Sequence, residues 1–76
     1  MAVKIHLYGM LKQMAGAPAI MADVTDTDGL IKEMTVRFPK LENLTCLVAV
    51  DRLVVRSNTP IREGQEIALL PPYSGG

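Results

Sequence analysis

Cysteine and histidine, which commonly build catalytic, metal and disulfide centres, are almost absent from this sequence. It contains one cysteine, Cys46, and one histidine, His6, so no internal disulfide can form and His6 has no second ligand to support a metal site. No predicted helix carries paired carboxylates for acid–base chemistry. We therefore expect no metal, no permanently bound cofactor and no catalytic residues of the protein's own. Whether the protein counts as an enzyme is left open at this point.

Charge of one sign and long apolar runs are missing as well. Eight Lys and Arg residues balance eight Asp and Glu residues, which argues against a nucleic-acid-binding surface or a polybasic membrane anchor. No stretch approaches the ~20 apolar residues of a membrane span. The N-terminus carries Lys4 and His6 where a signal peptide needs an apolar run. We expect a soluble, cytoplasmic protein with neither nucleic-acid nor membrane partners.

Aromatic residues make up only 4% of the chain, so the core has to be aliphatic, with five methionines available to fill gaps. The 76 residues suffice for a single domain. A domain of this size buries only about 60% of its unfolded surface, so its core is small. We predict one domain over residues 1–76, with a folded body at about 1–70 and a functional tail at 71–76.

The sequence does contain a regular alternation of apolar and polar residues, which predicts strands around one main helix. Val3, Ile5 and Leu7 have the period of a half-buried strand. Residues 25–28 offer helix caps, and Pro39 ends the helix. The other predicted features are strands at 19–24, 46–50, 53–55 and 65–70, a helical turn or folded loop at 9–16, a loop at 40–45, and a positive φ at Gly64.

The order of these elements, β-β-α-β-β-β, predicts an α+β fold in which one helix covers one face of a mixed sheet of about five strands. The last strand is apolar at residues 67–70, as a central strand is. Placing the first and last strands side by side and parallel gives the ubiquitin-like β-grasp arrangement. The helix side that faces the sheet is expected to carry Leu30 or Ile31, Met34 and Phe38.

The same alternation predicts an apolar face of the sheet that the helix leaves uncovered. If Leu7 and Leu69 face the helix, the residues next to them face away, although a one-residue error in register would reverse this. A docking surface for a partner protein is one interpretation, and ordinary scattered surface apolarity is the other. The residues assigned to docking are Tyr8, Ala68, Leu70 and Leu47.

The C-terminal tail joins two prolines to two terminal glycines. Prolines cannot donate to a sheet ladder and restrict φ, so the last strand has to stop there and the chain leaves as a stiff spacer. Glycines have no Cβ, so the end can enter a slot too narrow for any side chain. A frayed, idle end is the alternative interpretation. The tail consists of Pro71, Pro72, Tyr73, Ser74, Gly75 and Gly76.

A β-grasp domain that ends in Pro-Pro-x-Ser-Gly-Gly resembles the MoaD/ThiS family of sulfur carriers, and within it the MoaD type, the small subunit of molybdopterin synthase. The resemblance covers essentially the whole chain; it is strongest over residues 48–51 and 59–76 and weaker over 11–16. Three departures bear on which partner surface the protein fits and leave the tail chemistry untouched. They are Lys12-Gln13 in place of the usual Arg-Glu, Asp51 where Asn is common, and Gln65 where Asp is common.

The resemblance implies that Gly76 is a covalent attachment point. A ubiquitin-activating-like adenylyltransferase would use ATP to form an acyl adenylate on Gly76, and sulfur from a separate persulfide donor would displace AMP to leave a thiocarboxylate. Residues 71–75 would then thread into the large subunit of molybdopterin synthase, where the sulfur passes to a pterin precursor. The protein would be a non-catalytic carrier subunit.

Other functions stay open at this point. The same carrier chemistry could serve tungsten-pterin, thiamine or cysteine synthesis, Gly76 could form isopeptide bonds as a ubiquitin-like protein modifier, or the domain could be an interaction module with an idle tail. Cys46 invites a sulfur-transfer interpretation, but a small buried strand residue is favoured because no basic neighbour is at hand to make a thiolate. His6 is interpreted as a solvated or loosely paired histidine.

Overall fold

A computed structural model describes residues 2–71 of the chain. The strands form one mixed sheet in the order β2-β1-β5-β3-β4, which confirms the predicted α+β β-grasp architecture. In the described part of the chain, no helix has the length and apolarity needed to cross a membrane. The elements are β1 (Ala2–Leu7), α1 (Met10–Ala15), β2 (Ala19–Asp23), α2 (Thr27–Arg37), a 3₁₀ helix (Pro39–Asn43), β3 (Leu47–Val50), β4 (Leu53–Val55) and β5 (Ile67–Leu70).

The first and last strands lie side by side at the centre of the sheet and run parallel, as predicted. Ile5 pairs with Ile67, and Leu7 pairs with Leu69. β2 joins β1, and β3 joins β5, in antiparallel fashion. Parallel neighbours need a long crossover connection, and α2 lies on it, so the helix is carried across one face of the sheet.

The hydrophobic core lies between α2 and that face. Each fully buried aliphatic side chain contributes roughly 1.5–3 kcal/mol by leaving water. Leu30 rather than Ile31 is the deeply buried residue of the first turn, because Ile31 is only half-buried, and Phe38 packs at the margin of the core. The largest fully buried side chains are Ile5, Leu30, Met34, Ile67 and Leu69, which places the inner residues of β5 against the helix as predicted.

Two side chains from distant parts of the chain hold the start of α2. Asp26 is the N-cap, and its Oδ1 accepts a hydrogen bond from the Gly29 amide at 2.8 Å. Asn58 Oδ1 accepts from the Asp28 amide at 2.9 Å, and Asn58 Nδ2 donates to Asp26 Oδ2 at 3.2 Å. First-turn amides have no partners within their own helix, so these bonds supply them. The predicted cap is confirmed, and Asn58 ties the helix to the segment before β5.

Four predicted boundaries are wrong. β2 ends at Asp23 rather than at residue 24. The expected loop at 40–45 contains the end of a 3₁₀ helix, Pro39–Asn43, which buries Leu41. Proline suits the first position of a helix because no hydrogen-bond partner is needed for its nitrogen there. β3 begins at Leu47 rather than at residue 46, and β5 begins at Ile67 rather than at residue 65.

The late start of β5 is explained by the two-residue turn between β3 and β4. Asp51 Oδ1 in that turn accepts from the Glu66 amide at 2.9 Å. Gln65 is engaged in the preceding loop, where its Oε1 accepts from the Arg62 amide at 2.7 Å. Residues 65 and 66 are therefore committed to turn contacts. The loop also holds Gly64 at a φ of 91°, which confirms the positive φ predicted there.

Candidate functional site

The face of the sheet opposite α2, here named the outer face, is where the docking residues are predicted. Directly paired residues on neighbouring strands share a face, and the register aligns one row across all five strands. Two residues of that row, Ala68 and Ala49, are buried but are not part of the hydrophobic core under α2, as expected for the opposite face. The row is Ala19, His6, Ala68, Ala49 and Val54.

Three of the predicted docking residues lie at the end of the outer face where the tail begins. Leu70 pairs with Leu47, and it follows the fully buried Leu69, so the outward register predicted for Leu70 is correct. Both Leu47 and Leu70 are half-buried, and Tyr8 is 49% exposed. These side chains put apolar surface beside the root of the tail, where a partner can reach it.

Ala68, the fourth predicted docking residue, requires a correction. It was assigned to an exposed position, but only 8% of its surface is accessible. The reason is its place in the central strand, between His6 of β1 and Ala49 of β3, where a short side chain is recessed below its neighbours. Ala68 contributes little accessible area to the outer face.

Two exposed apolar residues of the outer face escaped the sequence reasoning. Val54 pairs with Ala49 and is 43% exposed. Met21 pairs with Lys4 in the next row and is 54% exposed. The alternation that sends Val48 inward would have sent Val54 outward once β3 and β4 were paired, so the signal for Val54 was available.

The tail leaves the sheet at Pro71, which is half-buried and packs against Gly9. A Cβ on Gly9 would lie 3.0 Å from Pro71 Cγ, closer than the ~3.5–4.0 Å of a favourable carbon–carbon contact. Sequence reasoning gave Gly9 no role beyond breaking the strand pattern. The tail residues assigned to threading and to covalent attachment lie outside the described residues; these are Pro72, Tyr73, Ser74, Gly75 and Gly76.

Cys46 is half-buried just before β3, and this burial raises the pKa of its thiol. A raised pKa keeps the sulfur protonated and poorly nucleophilic at neutral pH, which favours the structural interpretation of Cys46. His6 is half-buried in the middle of the outer face. Among residues 2–71, no group of three or more His, Cys, Asp and Glu side chains is placed to hold a metal ion.

The departures from the family pattern fall at opposite ends of the sheet. Asp51 and Gln65 lie near the start of β5, far from the tail, and serve the turn contacts described above. Lys12 and Gln13 are exposed on α1, directly after Gly9 and hence at the tail end. Of the three departures, only the Lys12-Gln13 pair is therefore near the root of the tail.

Comparison with known sequences connects the whole chain to one family. Residues 5–76 match the model of the ThiS family. A protein of Arabidopsis thaliana described as "Molybdopterin synthase sulfur carrier subunit" is 27% identical over 79 residues, covering 97% of this chain and 82% of the relative. A protein of Escherichia coli (strain K12) with the same description is 26% identical over 80 residues, covering 97% of this chain and 99% of the relative.

Solved structures share the fold. A putative molybdopterin converting factor, subunit 1, from Pyrococcus furiosus superposes with a TM-score of 0.82 at 19% identity, covering 96% of this chain and 99% of that one. Small archaeal modifier protein 1 from Methanosarcina acetivorans gives 0.79 at 21% identity, covering 99% and 96%. A chain in a complex of subunits 1 and 2 of molybdopterin-converting factor from Helicobacter pylori gives 0.67 at 28% identity, covering 100% of both chains.

Proposed function

This chain belongs to the ThiS family, and from that membership we propose that it is a sulfur carrier for molybdopterin synthesis, loaded at Gly76. The observation that carries the proposal is that relatives from a plant and a bacterium share the description of sulfur carrier subunit in matches that span 97% of this chain. The glycine-glycine ending supplies the unhindered terminus that such chemistry needs.

The proposed loading reaction is driven by external enzymes. A Gly76 carboxylate oxygen attacks the α-phosphate of ATP on a ubiquitin-activating-like adenylyltransferase, which releases pyrophosphate and leaves an acyl adenylate. The terminal sulfur of a persulfide donor attacks the activated carbonyl, and AMP leaves, giving an acyl disulfide. A thiol then reduces that disulfide, so the sulfur stays on Gly76 as a thiocarboxylate while the donor and the thiol end as a disulfide. ATP is thus consumed by the activating enzyme and is not a resident cofactor of this chain.

The protein's own contribution is to deliver the reactive end. Six residues from Pro71 to Gly76 reach at most about 20 Å when extended, enough to place Gly76 inside a partner while the sheet stays outside. The two prolines restrict the conformations of the free tail, which lowers the ordering cost on binding. The catalytic groups belong to the partners, so this chain acts as a non-catalytic subunit.

The large subunit of molybdopterin synthase is the proposed recipient of the sulfur. The Helicobacter pylori relative was solved in a complex of subunits 1 and 2, which supports a two-subunit assembly for this chain. The apolar residues at the tail end of the outer face, Tyr8, Leu47 and Leu70, are proposed to dock against that subunit. The proposal places the chain in the cytoplasm, a compartment that supplies the ATP for activation.

The experiment is intact-mass spectrometry of the protein purified from its native cells, with a variant that lacks Gly76 as the control. A mass increase that corresponds to one oxygen replaced by sulfur, present in the wild type and absent from the variant, supports the carrier. Recovery of the large subunit with the protein assigns it to pterin dithiolene synthesis rather than to thiamine or cysteine synthesis.

Two outcomes would overturn the proposal. Conjugates in which Gly76 is joined to lysines of other proteins, without any thiocarboxylate, would make the chain a protein modifier. The resemblance to small archaeal modifier protein 1 establishes a shared fold at 21% identity and does not favour that function. An unmodified mass with no conjugates under conditions of active molybdopterin synthesis would leave the tail without a role.

A further inference from the structure

We infer that Gly9 is a positioning residue for the tail, because its missing side chain leaves the space in which the Pro71 ring is seated. The inference rests on the proposed carrier function and adds to it. It makes the direction in which the C-terminal tail leaves the body depend on Gly9, a residue near the N-terminus in the turn between β1 and α1. Gly9 is not a catalytic residue, since it touches the root of the tail rather than the reacting atoms.

The register of the two central strands brings Gly9 and Pro71 together. β1 and β5 are parallel, and Leu7 is paired with Leu69. Gly9 and Pro71 each lie two residues after this pair, just beyond the ends of the strands, so the parallel register places them next to each other. Proline has no N–H to donate to a ladder, so Pro71 cannot continue the pairing through its nitrogen. The contact with Gly9 takes its place.

The backbone at Gly9 is held in a conformation that is accessible to glycine. Its φ of 57° and ψ of −133° are close to the roughly 60° and −120° of the first central position in a type II′ turn. The Leu11 amide closes this turn by donating to the Tyr8 carbonyl at 3.2 Å. The Leu11 side chain is buried in the core, so the turn is anchored. Gly9 therefore presents a fixed surface to Pro71.

A side chain at residue 9 would move the root of the tail. The added methyl carbon would lie 3.0 Å from Pro71 Cγ, and the overlap would have to be relieved by a shift of a few tenths of an ångström. Leu11 anchors the turn in the core, so we expect the shift to fall on Pro71, which is only half-buried. Misplacing a reacting group by about 1 Å can cost a hundredfold in rate, and Gly76 is carried by the segment that Pro71 starts.

The test compares Gly9→Ala with Gly16→Ala in thiocarboxylate formation by the activating enzyme and a persulfide donor. Gly16 also has a positive φ, 71°, but a methyl group there would meet nothing within 4 Å. Gly16→Ala carries the milder strain of the left-handed helical region, with ψ at 17°, whereas Gly9→Ala combines the stronger strain of a glycine conformation with the overlap at Pro71. We expect kcat to fall roughly four- to tenfold for Gly9→Ala, in proportion to a shift smaller than the 1 Å that costs about a hundredfold. KM should be unchanged because the outer face is intact, and Gly16→Ala should leave both constants unchanged.

A double variant separates contact from strain. Pro71→Ala removes the ring that the Gly9 methyl would strike, so adding Gly9→Ala to Pro71→Ala should cost little further activity. Multiplicative losses from the two substitutions would show that they act independently and would overturn the inference. Equal kcat values for Gly9→Ala and Gly16→Ala, both folded by circular dichroism at the assay temperature, would overturn it too. If Gly9→Ala does not fold, Pro71→Ala alone has to lower kcat with KM and melting temperature preserved, and an unchanged kcat refutes the inference.

A measurement without sulfur chemistry keeps this inference distinct from the proposed function. In the free wild-type protein, a nuclear Overhauser effect between Gly9 Hα and the Pro71 ring protons is expected. Its absence would disprove the contact even if the protein carries sulfur. Its presence in a protein that never forms a thiocarboxylate would reject the carrier function, and with it the positioning role, while leaving the contact established.

Discussion

Gly76 supplies the proposed reaction with a carbonyl that no side chain shields. The nucleophilic sulfur has to approach that carbonyl inside a partner, so its position matters as much as its reactivity. The stability of the folded body is expected to depend little on Gly76, because the last strand ends at Leu70. At this residue the requirements of chemistry and of stability are therefore separable.

Deleting Gly76 should abolish sulfur transfer and leave the free energy of unfolding within about 0.5 kcal/mol of the wild type. The activated carbonyl would be withdrawn by one residue, roughly 3.3–3.6 Å, from the place where the partner attacks it. Docking through the outer face should survive, so the shortened protein should compete with the intact one. Sulfur transfer measured alongside thermal melting checks this. Transfer at a normal rate by the shortened protein would mean that Gly76 is not the attachment point.

Cys46 should behave as a structural thiol and not as a sulfur relay. Burial raises the pKa of its thiol, so the folded state holds this proton more tightly than the unfolded state. Its contribution to stability is present below the unfolded pKa and is lost as the pH rises through the folded pKa. We expect slower alkylation by iodoacetamide than for a free cysteine peptide at the same pH, and full sulfur loading of Cys46→Ala. Loss of loading in a folded Cys46→Ala protein would reinstate the relay.

At the scale of elements, α2 depends on residues that lie outside it. Its first turn is bonded by Asp26 from the preceding segment and by Asn58 from the segment before β5. Thr27 strengthens the same junction, since the Thr59 amide donates to its Oγ1 at 2.9 Å. The start of the helix is thus tied to the rest of the fold by specific bonds as well as by apolar packing.

Replacing Asp26 or Asn58 by alanine should each lower the free energy of unfolding by about 1 kcal/mol, the usual cost of a lost helix cap. The two losses should not add, because Asn58 also donates to Asp26 and each single change disturbs the partner. Urea denaturation of both single variants and the double variant measures the coupling. Asn43→Ala, which changes an exposed asparagine of the 3₁₀ helix, is the control and should stay within about 0.5 kcal/mol. Strict additivity would mean that the two caps work separately.

The elements that sequence predicted well are those in which one face is buried. Val3, Ile5 and Leu7 report the inner face of β1 directly, because alternation has only two possible phases. The 3₁₀ helix escaped because five residues are too few to show a period, and its single buried residue, Leu41, looks like any apolar residue in a loop. The start of β5 escaped because it depends on the Asp51 side chain, a contact between distant residues.

The outer face was predicted in its orientation but only partly in its exposure. The outward direction of Leu70 followed from the premise that Leu69 faces the helix, and the burial of Leu69 agrees with that premise. Alternation shows which face a residue is on, but it does not show how far neighbouring side chains extend from that face. Ala68 was therefore predicted to be accessible, although its short side chain is buried. The contact between Gly9 and Pro71 could not be predicted from the sequence pattern of β1 or of β5 alone. Predicting it requires the register in which the two strands pair.

At the scale of the whole molecule, the apolar end of the outer face and the root of the tail lie together. Leu47 and Leu70 are paired at the end of β5 that leads into Pro71. A partner that binds there gains the tail at a high effective concentration, because Gly76 is tethered within about 20 Å of the docked surface. Docking and delivery are therefore coupled by geometry.

Leu70→Asp should weaken the complex with the large subunit while the domain still folds. A charge on the outer face would have to be desolvated in the interface, whereas in the free protein this position is in partial contact with water. Val36→Asp is the matched control, because Val36 is 73% exposed on α2, on the opposite side of the sheet. Calorimetric titration of both variants with the large subunit decides the matter. Equal affinity of Leu70→Asp and wild type would remove this surface from the interface.

The central position of β5 has a consequence for how the chain is made. β1 with β2, and β3 with β4, can pair as hairpins while the ribosome is still at work, but β5 joins them and is among the last segments to be synthesised. A nascent chain that stalls before residue 67 lacks the strand that unites its two halves and stays open to proteases. An activating enzyme of the proposed kind would therefore meet a folded body only after synthesis has passed β5 and approached the tail, so incomplete chains would not compete for loading.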